Sequence, residues 1–279
     1  MKATLILCVK NGGDRLQTCL DHIDGLNGPD DLEIILVDNG STDISFKYMA
    51  AFAETSRFKC QLLQSLMPGN GAGRNSAIKK TTGELVLFTD GDCYVEASFV
   101  KDWLAIFLMS DIGFASGRIM RFNHEHSILG CNENRTERLI RALAFVPRGF
   151  IQGSNMAFRR SCLERAGLFD ERFGAGTPFA GEEWELALRA SFAGFRGGYF
   201  PTPCVAHDHQ RLDHIARDRL LYYDYGAGAV YAKHMIGRRS PTVIRKFLSD
   251  IRRLKDRGRL RKLLKGWADY YFDKPKGRP

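Results

Sequence analysis

Asp90 and Asp92 flank Gly91 where the apolar run Leu85, Val86, Leu87 and Phe88 stops. A glycine between two carboxylates lets both turn toward one point beyond a strand end. Mg²⁺ and Mn²⁺ are commonly held in this way, by one or two carboxylates, water and a substrate's own phosphates. Asp-Gly is also a strong turn dipeptide, so the same three residues read equally as a hairpin turn. An EF-hand loop is excluded, because Tyr94 stands at its fifth position and Val95 where a glycine is needed.

Other polar groups gather near comparable points of the chain. Asp38, Asn39, Gly40, Ser41, Thr42 and Asp43 follow a second apolar run, and PGNGAGRNSAIKKTTGE carries Arg74 and Asn75 just behind a glycine-rich loop. An arginine at a helix start, together with free backbone N–H groups, suits a phosphate. Gly69, Gly71 and Gly73 also make an ordinary flexible loop, and a dinucleotide fingerprint would have to follow the first strand. Glu182 and Glu183 open a stretch of helical spacing through Trp184, Leu186, Leu188 and Phe192. As first-turn acids they suit the helix dipole. His207, Asp208 and His209 close the pattern, with structural and metal-binding roles both open to His207.

Residues 3–9, 32–38 and 84–90 are short apolar runs that read as buried parallel strands. Between them Arg15 to Leu26 and Ser41 to Ser56 have helical length and spacing, so the order is βαβαβ and the class α/β with a doubly wound sheet. Ligands of such sheets bind beyond the carboxyl ends of the strands, which places Asn11, Asp38, Asn39, Asp90 and Asp92 on one rim. Further on, Met156 to Phe158 read as a strand, Arg159 to Gly167 as a short helix, Phe169 to Gly181 as a loop, Glu182 to Gly194 as a helix and GGYFPTPCVAHDH as a closing strand.

Three blocks, VDNGSTD at 37–43, GRNSAIKKTTGELVLFTDGD at 73–92 and GSNMAFRRSCLERAGLFDERFGAGTPFAGEEWELALRASFAGFR at 153–196, together resemble a family-two glycosyltransferase of the GT-A fold over roughly residues 3–209. The resemblance implies a GT-A type, mostly parallel sheet flanked by helices. It also implies inverting transfer from a nucleoside-diphosphate sugar to a saccharide or lipid-linked hydroxyl, with Mn²⁺ or Mg²⁺ as cofactor. Position by position, Cys8 to Asn11 resemble the segment around the nucleobase, where Cys8-Val9 replaces the family's Pro-Thr. Asp38 matches the carboxylate that hydrogen-bonds the base, Asn39 replaces a second Asp, and Arg74 and Asn75 stand beside the nucleotide. Asp90 and Asp92 match the Asp-x-Asp pair, the first toward the ribose and the second on the metal, with His207 completing the metal shell. Gly153 and Asn155 are implied to line the nucleotide-sugar site. Glu183 occupies the position of the family's catalytic aspartate, with Glu182 as its competitor.

Composition agrees with a soluble globular protein, 44% hydrophobic and 26% charged. Seven scattered cysteines without a Cys-x-x-Cys pair argue against a disulfide framework or a zinc knuckle. The start, MKATLILCVKNGGD, reads as a first strand and not a signal peptide, so the expected location is the cytoplasm. The net charge of +9 resides in the last quarter: residues 211–279 hold 19 Lys and Arg against 7 Asp and Glu. There Val243, Ile244, Phe247, Leu248, Ile251 and Leu254 recur at helical spacing among basic residues, and Leu260, Leu263, Leu264 and Trp267 continue the pattern. This basic helical extension, 211–279 beside a catalytic domain at 1–210, reads as a peripheral contact with an anionic membrane or as a helix covering the core. No recognition motif supports a nucleic-acid partner. Two rivals are an inactive sugar-nucleotide-binding homologue and a nucleotidyltransferase, the latter poorly matched by KNGGDRL after the first strand.

Overall fold

The structure, a computed structural model, describes residues 1–65, 67–238 and 240–272. In chain order β1 (Ala3–Val9), α1 (Gly13–Asp24), β2 (Glu33–Asp38), α2 (Ser45–Thr55), β3 (Lys59–Gln64), α3 (Asn70–Ile78) and β4 (Leu85–Asp90) form an alternating half. Next come β5 (Cys93–Val95), α4 (Phe99–Met109), β6 (Phe114–Arg121), β7 (Arg138–Ile140), β8 (Asn155–Arg159), α5 (Arg160–Ala166), α6 (Glu182–Phe192) and β9 (Gly197–His207). The helices α7 (Asp213–Arg238), α8 (Pro241–Arg253) and α9 (Arg257–Phe272) follow.

Among the described residues these strands make one mixed, mostly parallel sheet in the order β3-β2-β1-β4-β8-β6-β9-β5, with β7 beside β9. Every residue of β1 and β2 is buried, which is why both read as unbroken apolar runs. Register sets the rim. Val9 pairs with Asp38 and Cys8 with Asp90, so the ends of three neighbouring strands arrive together.

The second helix begins at Ser45, later than its spacing predicts, because the residues before it are engaged elsewhere. Ser41 Oγ accepts from Asn11 N at 3.1 Å and Asp43 Oδ2 from Gly13 N at 3.0 Å. Such side-chain bonds to a neighbouring backbone compete with helix formation. The strands β3 and β6, KCQLLQ and FASGRIMR, were not read from the sequence, because their polar residues break the apolar run.

Two apolar layers cover the sheet. Leu16, Leu20, Met49, Trp103 and Phe107 from α1, α2 and α4 pack on one face. Ala77, Leu163, Leu186, Val230, Val243, Phe247 and Leu263 from α3 and α5–α9 pack on the other. Of the apolar stripe seen in the C-terminal sequence, Val243, Phe247 and Leu263 are turned inward, while Leu248 and Leu264 stay exposed. Glycine lets α7 and α9 cross closely: a Cβ on Gly228 would collide with the backbone oxygen of Leu263, and one on Gly266 with that of Tyr225. Among the described residues no helix is long and apolar enough to cross a membrane.

Candidate active site

A cleft of about 840 Å³ opens beyond the carboxyl ends of β1 and β4. Its walls include Cys8, Asn11, Asn39, Arg74, Asp90, Asp92, Gly153, Glu182, Glu183 and His207. The strand rim, α3, the start of α6 and the end of β9 therefore meet in one place. Asp38, Asn75 and Asn155 lie outside the lining.

The arginine of α3 organises the centre. Arg74 is 1% exposed and its guanidinium reaches Asp90 Oδ1 at 3.0 Å, Glu182 Oε1 at 2.9 Å and the Gly153 carbonyl at 3.4 Å. A planar fork with several donors fits two carboxylates and a carbonyl, and a buried guanidinium needs such partners. Arg74 accordingly sits mid-helix between carboxylates and not at a helix start facing solvent. Gly153 is pressed against it, since a Cβ there would come within 2.8 Å of Arg74 Nη2.

The glutamates are divided by this contact. Gly181 takes φ 101°, a left-handed conformation that glycine adopts without strain, and from it α6 starts with Glu182 turned inward to Arg74. Glu183 remains half-buried on the cleft wall. Burial, and next the adjacent Glu182, push its carboxyl well above the usual glutamate range.

At the rim, His207 Nε2 lies 3.5 Å from Asp92 Oδ1 and its Nδ1 3.4 Å from the Gly130 carbonyl. Arg15 Nη1 approaches Asp92 Oδ2 at 3.4 Å and bonds the Asp208 carbonyl at 2.9 Å. Burial opposes charge on Asp92, yet the hydrogen bond and charge of His207, with Arg15, hold its carboxyl below the usual value. Burial likewise opposes the imidazolium, but Asp92 prevails and His207 is pushed up to about 10. His209 is engaged elsewhere: its Nε2 meets the Ser127 carbonyl at 2.9 Å and its Nδ1 accepts from Arg211 N at 3.0 Å.

Asp92, Cys93 and His207 bring three potential ligand atoms within 4.8 Å of one another. The Cys93 thiol is buried and held well above its ordinary pKa by desolvation and then Asp92, so it stays protonated. An ionised carboxylate and an imidazole are the donors that suit Mn²⁺ or Mg²⁺, and these residues fit such an ion once it displaces the His207 proton. Asp90 is tied to Arg74 through one oxygen, with 26% of its side chain exposed.

The remaining predicted residues act on backbone. Asn11, at φ 54°, accepts from Thr42 N at 2.8 Å and joins the β1 and β2 loops. Asp38 accepts from Ser41 N at 3.0 Å. Asn75 exchanges 3.0 Å bonds with the Phe169 carbonyl and amide, pinning the loop that leads to α6. Asn155 donates to the Arg118 and Pro203 carbonyls, at 2.9 and 3.0 Å, beside the bulge where β6 shifts against β9. Burial raises the Cys8 thiol to about 12. Beside these, Asn39 Oδ1 is buried with no partner among the described residues and belongs to a side chain on the cleft wall.

Sequence reasoning missed Arg15, Arg148, Arg211, Arg219, Tyr222, Tyr223 and Arg259, which also line the cleft. Arg219, Tyr222 and Tyr223 stand at i, i+3 and i+4 in RDRLLYYDYG, a helical face legible before folding. The others come from separate parts of the chain, Arg15 from α1, Arg259 from α9, and Arg148 and Arg211 from loops, and carry no local signature.

A rim of this kind on this sheet defines the GT-A class of glycosyltransferase folds. A mannosyltransferase of Pyrobaculum calidifontis, solved with GDP-Man and Mn²⁺, superposes with TM-score 0.66 at 19% identity, over 95% of this chain and 74% of that one. The Staphylococcus aureus protein TarS, residues 1–349 with UDP-GlcNAc, gives TM-score 0.68 at 15% identity, over 97% and 80%. The family model for glycosyl transferase family 2 matches residues 4–167, and the chain belongs to that family. Among named relatives, a pre-mycofactocin glycosyltransferase of Mycobacterium tuberculosis is 26% identical over 250 residues, 83% of this chain and 48% of its own. A poly(ribitol-phosphate) beta-glucosyltransferase of Bacillus spizizenii is 33% identical over 105 residues, 37% of this chain and 17% of its own. The chain spans less than half the length of these two relatives.

Proposed function

We propose that the protein transfers a sugar, with inversion, from a nucleoside-diphosphate sugar to the hydroxyl of a saccharide or lipid-linked acceptor. The nucleobase lies against the β1 loop and Asn39, whose unpartnered amide oxygen offers it a hydrogen bond. Asp90 faces the ribose, steadied by Arg74. Asp92 and His207 would hold Mn²⁺ or Mg²⁺, which when bound would supply positive charge to the diphosphate. Arg15 and Arg211 add positive charge at the same end of the cleft. On the opposite face of the sugar Glu183 takes the proton of the acceptor hydroxyl as its oxygen bonds to the anomeric carbon. The bond to the diphosphate breaks, and its electron pair leaves with the diphosphate oxygen.

The observation that most supports this reading is the division between the glutamates: Arg74 engages Glu182 and leaves Glu183 open to the cleft. A thermal-shift panel of nucleoside diphosphates and their sugars, with and without Mn²⁺, tests it. Asp92→Ala should abolish the Mn²⁺-dependent stabilisation by UDP or GDP. Undiminished metal-dependent binding in that variant would remove the rim from the reading.

The outward face of α8 and α9 carries exposed Arg245, Lys246, Arg252, Arg253, Lys255, Arg257, Arg261 and Lys262. Leu248 and Leu264 are exposed among them. This face supports peripheral contact with anionic lipid, chiefly by charge.

A further inference from the structure

We propose that the part of the cleft lined by Arg148, Arg219 and Arg259 is an acceptor subsite for a phosphate group. It rests on, and deepens, the glycosyl-transfer reading above. The three arginines arrive from separate parts of the chain: the segment between β7 and β8, α7, and α9. All three line the cleft that holds Glu183.

Their charge is incompletely balanced. Asp224 is fully buried and accepts from Arg148 Nη1 at 2.6 Å, from Arg259 Nε at 2.6 Å and from Arg259 Nη2 at 3.2 Å. One carboxylate thus serves two guanidiniums, each of which still reaches solvent. Arg219 makes no ion pair among the described residues. Its guanidinium carbon lies 5.6 Å from the centre of the Tyr222 ring and 5.9 Å from that of Tyr223, and its Nε is buried with no hydrogen-bond partner among those residues. Tyrosine faces hold the cation in place without consuming its N–H groups. A buried donor without an acceptor is unfavourable, so the group is prepared for one that arrives with a ligand. The nearby Glu182 is matched by Arg74.

Guanidinium forks recognise phosphate through paired N–H bonds, whereas neutral sugars ask for acceptors as well as donors. In the glycosyl-transfer reading the donor's own diphosphate is already assigned to the rim, beside Asp92 and Arg15. The phosphate therefore belongs to the molecule whose hydroxyl Glu183 activates. Two sources share this chemistry: a phosphodiester-linked polyol chain and a polyprenyl diphosphate sugar.

The test uses the full chain saturated with nucleoside diphosphate and Mn²⁺. Binding is measured for a soluble polyol-phosphate oligomer, a short-chain polyprenyl diphosphate sugar, and the phosphate-free counterpart of each. One phosphorylated probe should bind at least about tenfold more tightly than its neutral counterpart, and which probe does so names the source. Arg219→Ala, which breaks no ion pair among the described residues, should weaken that binding roughly 10- to 100-fold. It should leave nucleoside-diphosphate affinity and the affinity for the neutral probe within about twofold. Arg148→Ala and Arg259→Ala should act in the same direction if they fold. Equal binding of charged and neutral probes, failure of both charged probes to bind, or an Arg219→Ala protein that binds them like the parent would each overturn the subsite. Loss of nucleotide binding in the parent protein would instead strike the underlying reading.

Discussion

Glu183 combines two demands that conflict. A base must give up its proton to act, yet burial and the neighbouring Glu182 favour the protonated form. Its folded pKa therefore lies above the unfolded value of about 4.3. The stability linked to this group is fully present below the unfolded pKa and is lost as pH rises toward the folded one. Turnover should rise with pH through an apparent pKa above the ordinary glutamate range. Glu183→Gln should lower single-turnover rates by about 10²–10⁴-fold, leave the donor dissociation constant nearly unchanged, and raise the neutral-pH melting temperature. Glu182→Gln should instead lower that temperature, because it weakens the pairing of buried Arg74. A collapse of rate confined to Glu182→Gln would reverse the assignment.

At the scale of elements, the start of α6 is held by a buried charge network reaching α7. Glu185, with no exposed surface, meets Arg189 at 2.8 Å, Lys233 at 2.7 Å and His234 at 3.3 Å. Lys233 also meets Asp170 at 2.8 Å on the loop before α6, and Arg172 pairs with the same carboxylate at 2.7 Å. Burial opposes ionisation of Asp170, but these partners lower its pKa to about 2. A lowered carboxylate contributes stability above its unfolded pKa, near 3.9, and loses it as pH falls toward the folded value. Asp170→Asn should cost on the order of 1–2 kcal/mol at neutral pH once partial exposure is allowed for. The difference from the parent in urea melts should shrink as pH drops from about 4 toward about 2. A pH-independent difference would show that lost packing, and not charge, is responsible.

For the whole molecule, the C-terminal helices are part of the same core as the sheet. Val243, Phe247 and Leu263 are buried with Trp184 and Tyr231, and α7 lines the cleft. Leu263→Ala should cost about 2–5 kcal/mol in denaturant titrations. Removing residues 241–279 should unfold or strongly destabilise the chain, so truncation cannot isolate a membrane role. Reversing the charge of exposed Arg252, Arg253, Lys255 and Arg257 separates the two. The fold should survive, while binding to phosphatidylserine vesicles should fall by about 1 kcal/mol per residue. Unchanged vesicle binding would leave the basic face simply solvated.

Much of this was legible in the sequence, because buried parallel strands need continuous apolar residues whatever surrounds them. The runs at β1, β2 and β4, the polar residues at their ends and the Gly-Glu-Glu before α6 are local patterns of that kind. Local pattern says which residues reach the rim, but not which partners they find there. Arg74 and Glu182 are 108 residues apart, and their contact leaves Glu183 facing the cleft. His207 ends β9 and meets Asp92, whereas His209 lies past the strand and meets the Ser127 carbonyl. Asn75 and Asn155 stand inside the family blocks yet bind backbone at a loop and a bulge, features that exist only once distant strands have paired. The helix α7 enters the cleft wall because its glycines let α9 pack close behind it. The sequence by itself determined the strands, their rim and the types of chemistry available. Tertiary structure decided the partners, because a buried charge or amide is assigned by whichever group lies within hydrogen-bond reach, however distant in the chain.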